Sequence, residues 1–424
     1  MRVLFTIISE KTMFLSMVPL AWAMRTAGHE VRVACQPAFA EVVTQAGLTA
    51  VPVGRDATIW RMESLDPELL EESRDGLPSP WNIAADPALA SWDEQVQGHI
   101  GAVDEGHKLE NFPLIGGLVE FARAWQPDLV VWEPLSYAGS IAAKACGAAH
   151  ARLLWSIDVF GVTREHFLRL KAQQPADDRI DPLADWLGGY ARKYGGEFTE
   201  DMTTGQFTID PLPGSIAMRA GHLDYLPMRY VAHNGVAVVP DWLQRQPRRP
   251  RIALTLGTTA VEQFAGYTVS VQDILDALSD VDAEVVATVA EAEQAKLRSV
   301  PDNARIVSYV PLDALAATCS VVINHAGPGT LLTAAAHAVP QLTLPWEFDA
   351  PELARRVAEQ GATLNIHGRR IDGGVVREGV LRLLSEPGYR DRAVALRDEM
   401  AALPSPNELV GRIEELTTKH RADG

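Results

Sequence analysis

Residues 325–330 read His-Ala-Gly-Pro-Gly-Thr, between an apolar run at 321–324 and a helical pattern over 329–337. In such a turn Gly327 and Gly329 let the main chain approach a ligand closely, and Pro328 stiffens the path. The helix that starts near Thr330 aims unpaired N–H groups and the positive end of its dipole outward, which suits a phosphate. The Thr330 hydroxyl can add a donor, and the His325 ring can reach a second phosphate oxygen. The same residues also make an ordinary strand-to-helix turn around a satisfied histidine, and turn chemistry alone leaves both readings open.

The elements that must carry this turn read as repeated strand–helix–strand units. RVLFTII (2–8) is a continuous apolar run, followed by a helical pattern over 13–27, a stop at Gly28 and a strand at 30–34. A shorter unit follows over 39–53. Strands are then expected at 128–133 and 150–155, with helices at 114–125 and 137–145 between and before them. A second series covers 252–257, 283–289, 305–310, 320–324 and 341–344, again with helical patterns between. Repeats of this kind build parallel, doubly wound sheets with right-handed crossovers, so the fold class is α/β. The expected division is a first domain over 1–212, a Pro-rich linker over 213–250 and a second domain over 251–400. Residues 401–424 form a last helix, expected to pack back on the first domain. In such sheets ligands bind beyond the carboxyl ends of the strands, here in an interdomain cleft. Between 56 and 106 the regularity fails. That stretch, with Trp60, Trp81 and Trp92, reads as a lid, a binding surface or short helices over a pocket.

Composition narrows the function classes. The chain has 424 residues, with 38 Lys plus Arg against 55 Asp plus Glu and a net charge of −17. Such a surface repels nucleic-acid backbones, which excludes general nucleic-acid binding as the main task. Cys35, Cys146 and Cys319 lie far apart, without metal-ligand or disulfide-framework spacing. No signal-peptide pattern and no long apolar stretch is seen, so a soluble, cytoplasmic protein away from membranes is expected.

HAGPGT, with the preceding RIVSYVPLDALAATCSVVINH, resembles the nucleotide-sugar-binding motif of GT-B glycosyltransferases. The nearest group is the bacterial natural-product enzymes that decorate polyketides such as macrolides and anthracyclines. QPDLVVWEPLSYAGSIAAKACGAAHARLLW (126–155), PMRYVAHNGVAVVPDWL (227–243) and LTLGTT (254–259) look like theirs too, in the same order. The resemblance implies two Rossmann-like domains of the GT-B fold, the first binding the acceptor and the second the donor. It implies inverting transfer of a deoxysugar, with aminodeoxysugars among the expected donors, from dTDP to a hydrophobic polyketide aglycone in antibiotic biosynthesis. No cofactor and no metal are expected. A cytochrome-like auxiliary protein docking on the 56–110 segment, and a homodimer, are further expectations. His325, Gly327, Gly329 and Thr330 match the residues that hold the diphosphate, and the backbone at Val310 matches the place where thymine is read. Thr258 and Thr259 match a loop facing the same phosphates, although as residue types they could equally cap a helix. Asp349 matches a carboxylate that grips sugar hydroxyls, with Ala350 where relatives carry Gln; N-capping of the next helix is its other reading.

One departure concerns the base. Relatives place a histidine in the loop after the first strand, near position 13; here that acceptor loop reads SEKTMFLSMVP and the position falls on Met13, which accepts no proton. Three readings compete. In the first a carboxylate at a strand end takes over: Glu10, Glu133 or Asp158. In the second the acceptor needs little help, as with a phenol or a carbon or nitrogen nucleophile of an aromatic ring. In the third the chain binds sugar nucleotide without turnover. His29, His150 and His337 are read as structural.

Overall fold

Continuous apolar runs make strands that must be covered on both faces, which a parallel sheet between helix layers provides. The computed structural model describes all residues except 58–75, 258–260, 262–266, 368–370 and 423–424. Its first sheet contains β1 (Arg2–Thr6), β2 (Glu30–Cys35), β3 (Ala50–Pro52), β4 (Leu129–Trp132), β5 (Ala149–Leu153), β6 (Phe207–Asp210) and β7 (Tyr225–Pro227). They lie in the order 3-2-1-4-5-6-7, all parallel. The second sheet contains β8 (Arg251–Thr255), β9 (Glu284–Thr288), β10 (Ala304–Val307), β11 (Val321–Asn324), β12 (Gln341–Thr343) and β13 (Thr363–Asn365). Its order is 10-9-8-11-12-13, also all parallel.

Each sheet reverses its winding once, between β1 and β4 in the first and between β8 and β11 in the second. The crevice at such a switch point is where ligands sit in open parallel sheets. Glu10 and Glu133 follow the first pair of strands, and Gly257 and His325 follow the second.

The two domains share a core. Ile157 and Val159 of the first domain cluster with Ala326, Leu331 and Leu353 of the second and with Met400. The last helix, Pro406–Ala422, places Leu409, Val410, Ile413 and Leu416 in the core built on β1 and β2. From the linker, the Tyr230 hydroxyl donates to the Gly329 carbonyl at 3.1 Å, tying that segment to the HAGPGT helix.

Three strands escape the periodicity reading. β6, β7 and β13 are three or four residues long, and β7 falls inside the span expected to be a linker. Its Tyr-Leu-Pro sequence is only partly buried and ends on a proline, so no apolar run announces it. Much of the irregular stretch is helical: Asn82–Ala85, Trp92–Gly101, a π-helical turn at Ala102–His107, and then Lys108–Trp125. Among the described residues no helix is long and apolar enough to cross a membrane.

Candidate active site

β11 ends at Asn324, whose side chain accepts from the Ala326 N–H at 2.8 Å and so fixes the turn that follows. Ala326 takes a positive φ of 63°, an uncommon conformation for a residue with a Cβ, and such strain concentrates at functional turns. The turn opens the helix Pro328–Ala336 with Pro328 at its first position, and Gly327 as N-cap makes no side-chain capping bond. Its first N–H groups are therefore left for a ligand. The His325 ring lies between two glycines: a Cβ on Gly257 would come within 2.6 Å of the ring, and one on Gly327 within 2.3 Å of Nε2. Burial pushes the imidazole down to about 4, so the ring is uncharged at neutral pH, and Nδ1 has no hydrogen-bond partner. An uncharged ring with an open nitrogen can donate one N–H to a phosphate oxygen.

Gly327 has φ −57° and ψ 133°, which alanine adopts freely, so Gly327→Ala acts through its methyl group alone. That methyl displaces the ring. dTDP affinity is expected to fall roughly tenfold to a hundredfold, the worth of a hydrogen bond to a charged group. With His325→Ala already in place the same change should cost little more. Calorimetric titration of dTDP into the two single variants and the double variant reads this coupling, and additive losses would sink it.

Beyond β12 the chain runs Pro345-Trp-Glu-Phe-Asp349. Asp349 occupies the N-cap position of the helix Ala350–Gln360, but its side chain makes no capping bond. It accepts instead from the hydroxyl of Ser156 in the other domain, and burial pushes its carboxyl up to about 6. The loop thus closes on the N-terminal domain through the residue expected to grip the sugar. Glu347, two residues earlier, was not singled out in the sequence. Its carboxyl is pushed up to about 8, first by desolvation and then by the charges of Asp349 and of Glu10 from the facing domain.

On the N-terminal side the three proposed bases part company. Glu133, just after β4, is 0% exposed; it accepts from the Leu135 N–H at 2.8 Å, the Ser136 hydroxyl at 2.5 Å and the Trp155 indole at 3.3 Å. Burial dominates over these donors and, with repulsion from Glu110, pushes it up to about 7. Glu10 is the N-cap of the helix Lys11–Thr26, accepting from the Thr12 N–H at 3.0 Å and hydroxyl at 2.9 Å. Asp158 is taken up by structure. It pairs with Arg152 at 2.5 Å, both groups fully buried, and accepts from the Gly161 N–H at 2.8 Å and the Tyr225 hydroxyl at 2.6 Å. Its oxygens are engaged by a guanidinium, a phenol and a helix N-terminus, the arrangement of an ion-pair and capping residue. Met13 also moves: it lies in the first turn of the helix Lys11–Thr26, not in a loop, and packs against the core.

The tryptophans divide. Trp81 meets Phe348 at 5.3 Å and Phe160 at 6.1 Å between ring centroids, an aromatic group spanning both domains beside the Asp349 loop. Trp92 packs on the buried Phe167 at 5.4 Å, and Trp60 lies outside the described residues. His107, which the sequence reading passed over, contributes its ring to the Trp81 and Phe160 group, with Nδ1 3.8 Å from Glu110. Asn111 ties that turn to the loop after Glu133 by donating to the carbonyls of His107 and Leu135 at 2.9 and 2.8 Å. Val310 buries its side chain with Ala253 and Val322. Thr258 and Thr259 lie outside the described residues. His150 and His29 are held by Asp201 and Glu414, and His337 by Asp313. No group of three or more His, Cys, Asp or Glu side chains placed to hold a metal ion occurs among the described residues.

Two Rossmann-like domains, the second with a glycine-rich turn at its switch point, are the architecture of the GT-B glycosyltransferases. The chain belongs to the erythromycin biosynthesis protein CIII-like family, whose N-terminal domain matches residues 22–257 and whose C-terminal domain matches residues 272–416. It is 44% identical to the 10-deoxymethynolide desosaminyltransferase of Streptomyces venezuelae, over 99% of this chain and 98% of that one. It is 41% identical to the aclacinomycin-T 2-deoxy-L-fucose transferase of Streptomyces galilaeus, over 100% and 98%. Among solved structures, glycosyltransferase VinC in complex with dTDP superposes with a TM-score of 0.87, at 38% identity over 99% of this chain and 100% of that one.

Proposed function

We propose that this protein transfers a deoxysugar bearing an amine from dTDP to a polyketide aglycone, inverting the anomeric centre, in the biosynthesis of an antibiotic. The observation that carries the donor half is the uncharged His325 ring held between Gly257 and Gly327 at an uncapped helix N-terminus. The dTDP named with VinC, and the desosaminyl and deoxyfucosyl transfers named for the two relatives, support the same reading.

The departing diphosphate gathers charge, which the first N–H groups of the helix Pro328–Ala336 and the ring of His325 stabilise without a metal ion. Thr330, at the third position of that helix, adds its hydroxyl, and Thr258 and Thr259 are assigned to the same phosphates. Asp349 holds a sugar hydroxyl once the donor displaces Ser156. The acceptor lies against Trp81, Phe160 and Phe348. Glu133 takes the proton from its attacking hydroxyl, because its proton affinity sits near operating pH, where a base removes protons most effectively. Glu10 completes the acidic wall. An auxiliary protein on the 56–110 segment belongs to the same reading, and Ile100, Leu109 and Phe112 are exposed in and just after that segment.

The test is turnover of a panel of macrolide and anthracycline aglycones with dTDP-deoxysugars, read by mass spectrometry. A product that gains one deoxysugar and is cleaved by mild acid is the expected result. An acid-stable product would mean transfer to carbon, and dTDP binding without product under any pairing would mean a subunit that only binds the donor.

A further inference from the structure

His107 and Glu110 are both buried, at 5% and 8% exposure. His107 ends the π-helical turn Ala102–His107, a helix form that recurs at functional sites. Its ring lies 4.9 Å from Tyr137 and 6.4 Å from each of Trp81, Phe160 and Trp186 between centroids. Nδ1 faces Glu110 Oε2 at 3.8 Å, close enough for an ion pair and too far for a hydrogen bond. Both atoms are shut off from solvent, and neither has a hydrogen-bond partner among the described residues. Asn111, the next residue, cannot supply one. Its amide donates to the carbonyls of His107 and Leu135, and its oxygen accepts from the Ala138 N–H at 2.8 Å. A buried donor and acceptor left open side by side are costly, and they mark a place that a ligand completes.

The gap itself names the group that fits. Atoms 3.8 Å apart are both within reach of one oxygen about 2.8 Å from each. That oxygen must accept from the imidazole N–H and donate to the carboxylate. A hydroxyl does both, whereas the ketone and ether oxygens of a polyketide only accept. The surrounding rings suit the apolar skeleton that carries such a hydroxyl. Resting on the reading above that the acceptor lies against Trp81, Phe160 and Phe348, we infer that His107 and Glu110 together hold a second hydroxyl of the polyketide acceptor, one that is not glycosylated. Asn111 fixes this pair to the loop after Glu133, so the held hydroxyl sets which other hydroxyl meets the base.

Calorimetry in the presence of dTDP tests this with the best acceptor of the aglycone panel and its analogues, each lacking one hydroxyl. On the unaltered protein one analogue, which keeps the glycosylated hydroxyl, should bind roughly tenfold to a hundredfold more weakly than the parent, the range for a hydrogen bond to a charged group. His107→Phe keeps a ring in the aromatic group and removes both nitrogens. It should bind the parent as weakly as that analogue, and the analogue no more weakly than the unaltered protein does. Glu110→Gln, which keeps the shape and removes the charge, should narrow the same gap and serves if the phenylalanine variant does not fold. Affinity for dTDP should not move. A gap that survives His107→Phe, equal losses for the parent and every analogue, or a gap confined to the analogue without the glycosylated hydroxyl would overturn the assignment. Trp81→Leu separates this from failure of the acceptor reading: it should weaken the parent whichever way the assignment falls. Acceptor affinity unmoved by that change would place the acceptor elsewhere and bring the assignment down with it.

Discussion

Glu133→Gln lowers turnover of the polyketide acceptor by about 10²- to 10⁴-fold, the usual cost of losing a positioned general base, while dTDP binds as before. The glutamine is nearly isosteric and keeps an oxygen to accept from Ser136 or Trp155, so the loss is one of proton affinity rather than shape. The pH profile carries the sign. A base works only when deprotonated, and burial pushes Glu133 up to about 7, so the rate in the unaltered protein should rise with pH through about 7. The variant's residual rate should show no such limb. Stability moves oppositely. A carboxyl with a raised folded value contributes stability that is fully present below the ordinary carboxylate range and is lost as pH rises through about 7. Thermal unfolding of the variant should therefore weaken less between pH 5 and pH 8 than that of the unaltered protein. Turnover within threefold of the unaltered protein at pH 7 would remove Glu133 from the mechanism and leave Glu10 as the candidate at the same crevice.

The architecture was legible because long apolar runs in parallel sheets are covered on both faces and leave an unbroken signal. β1, β4, β8 and β11, the strands at the two switch points, all come from such runs, so the position of the cleft followed from pattern alone. What failed to register was short or half-exposed, as with Tyr225–Pro227 and Thr363–Asn365. The donor turn was equally readable, since Gly, Pro and a strand-end His each have a local mechanical reason to be there. Two features of that site depend on distant residues and had no local signature. Gly257 and His325 are 68 positions apart in the chain, yet the ring needs the missing side chain of Gly257 to fit. Glu347 sits in a Trp-Glu-Phe run, where a carboxyl between aromatics just beyond a buried strand was the available signal. Its raised proton affinity comes first from desolvation and then from Asp349 and from Glu10, which another domain supplies. The expected loop at Met13 shows the converse error. Ser-Glu-Lys-Thr looks like a polar connection, but Glu10 is an N-cap and starts the helix two residues before Met13.

Asp158→Asn separates structural from catalytic carboxylates by the opposite outcome to that of Glu133. The sequence places both residues just beyond neighbouring strands, and their residue types alone do not distinguish them. The structure does, through partners. Arg152, at 0% exposure, has Asp158 as its one acidic partner among the described residues, while its Nε and Nη1 have no hydrogen-bond partner at all. Substitution by asparagine removes the charge and leaves a guanidinium buried without compensation, which costs about 3–5 kcal/mol when one member of a buried pair is deleted. The bond from the Gly161 N–H to Oδ1 can survive in asparagine, so the cap remains and the missing charge accounts for the loss. Urea unfolding should show the midpoint falling without a change in slope, as expected when stability changes and the exposed area does not. Under conditions where the variant stays folded, turnover per folded molecule should remain close to that of the unaltered protein, with its pH limb still near 7, because Glu133 is untouched. Replacing Arg152 by Met in the same background gives the sharper reading: with the orphaned charge gone, much of the stability should return. A variant that unfolds normally but has lost turnover would reverse the assignment and make Asp158 the base.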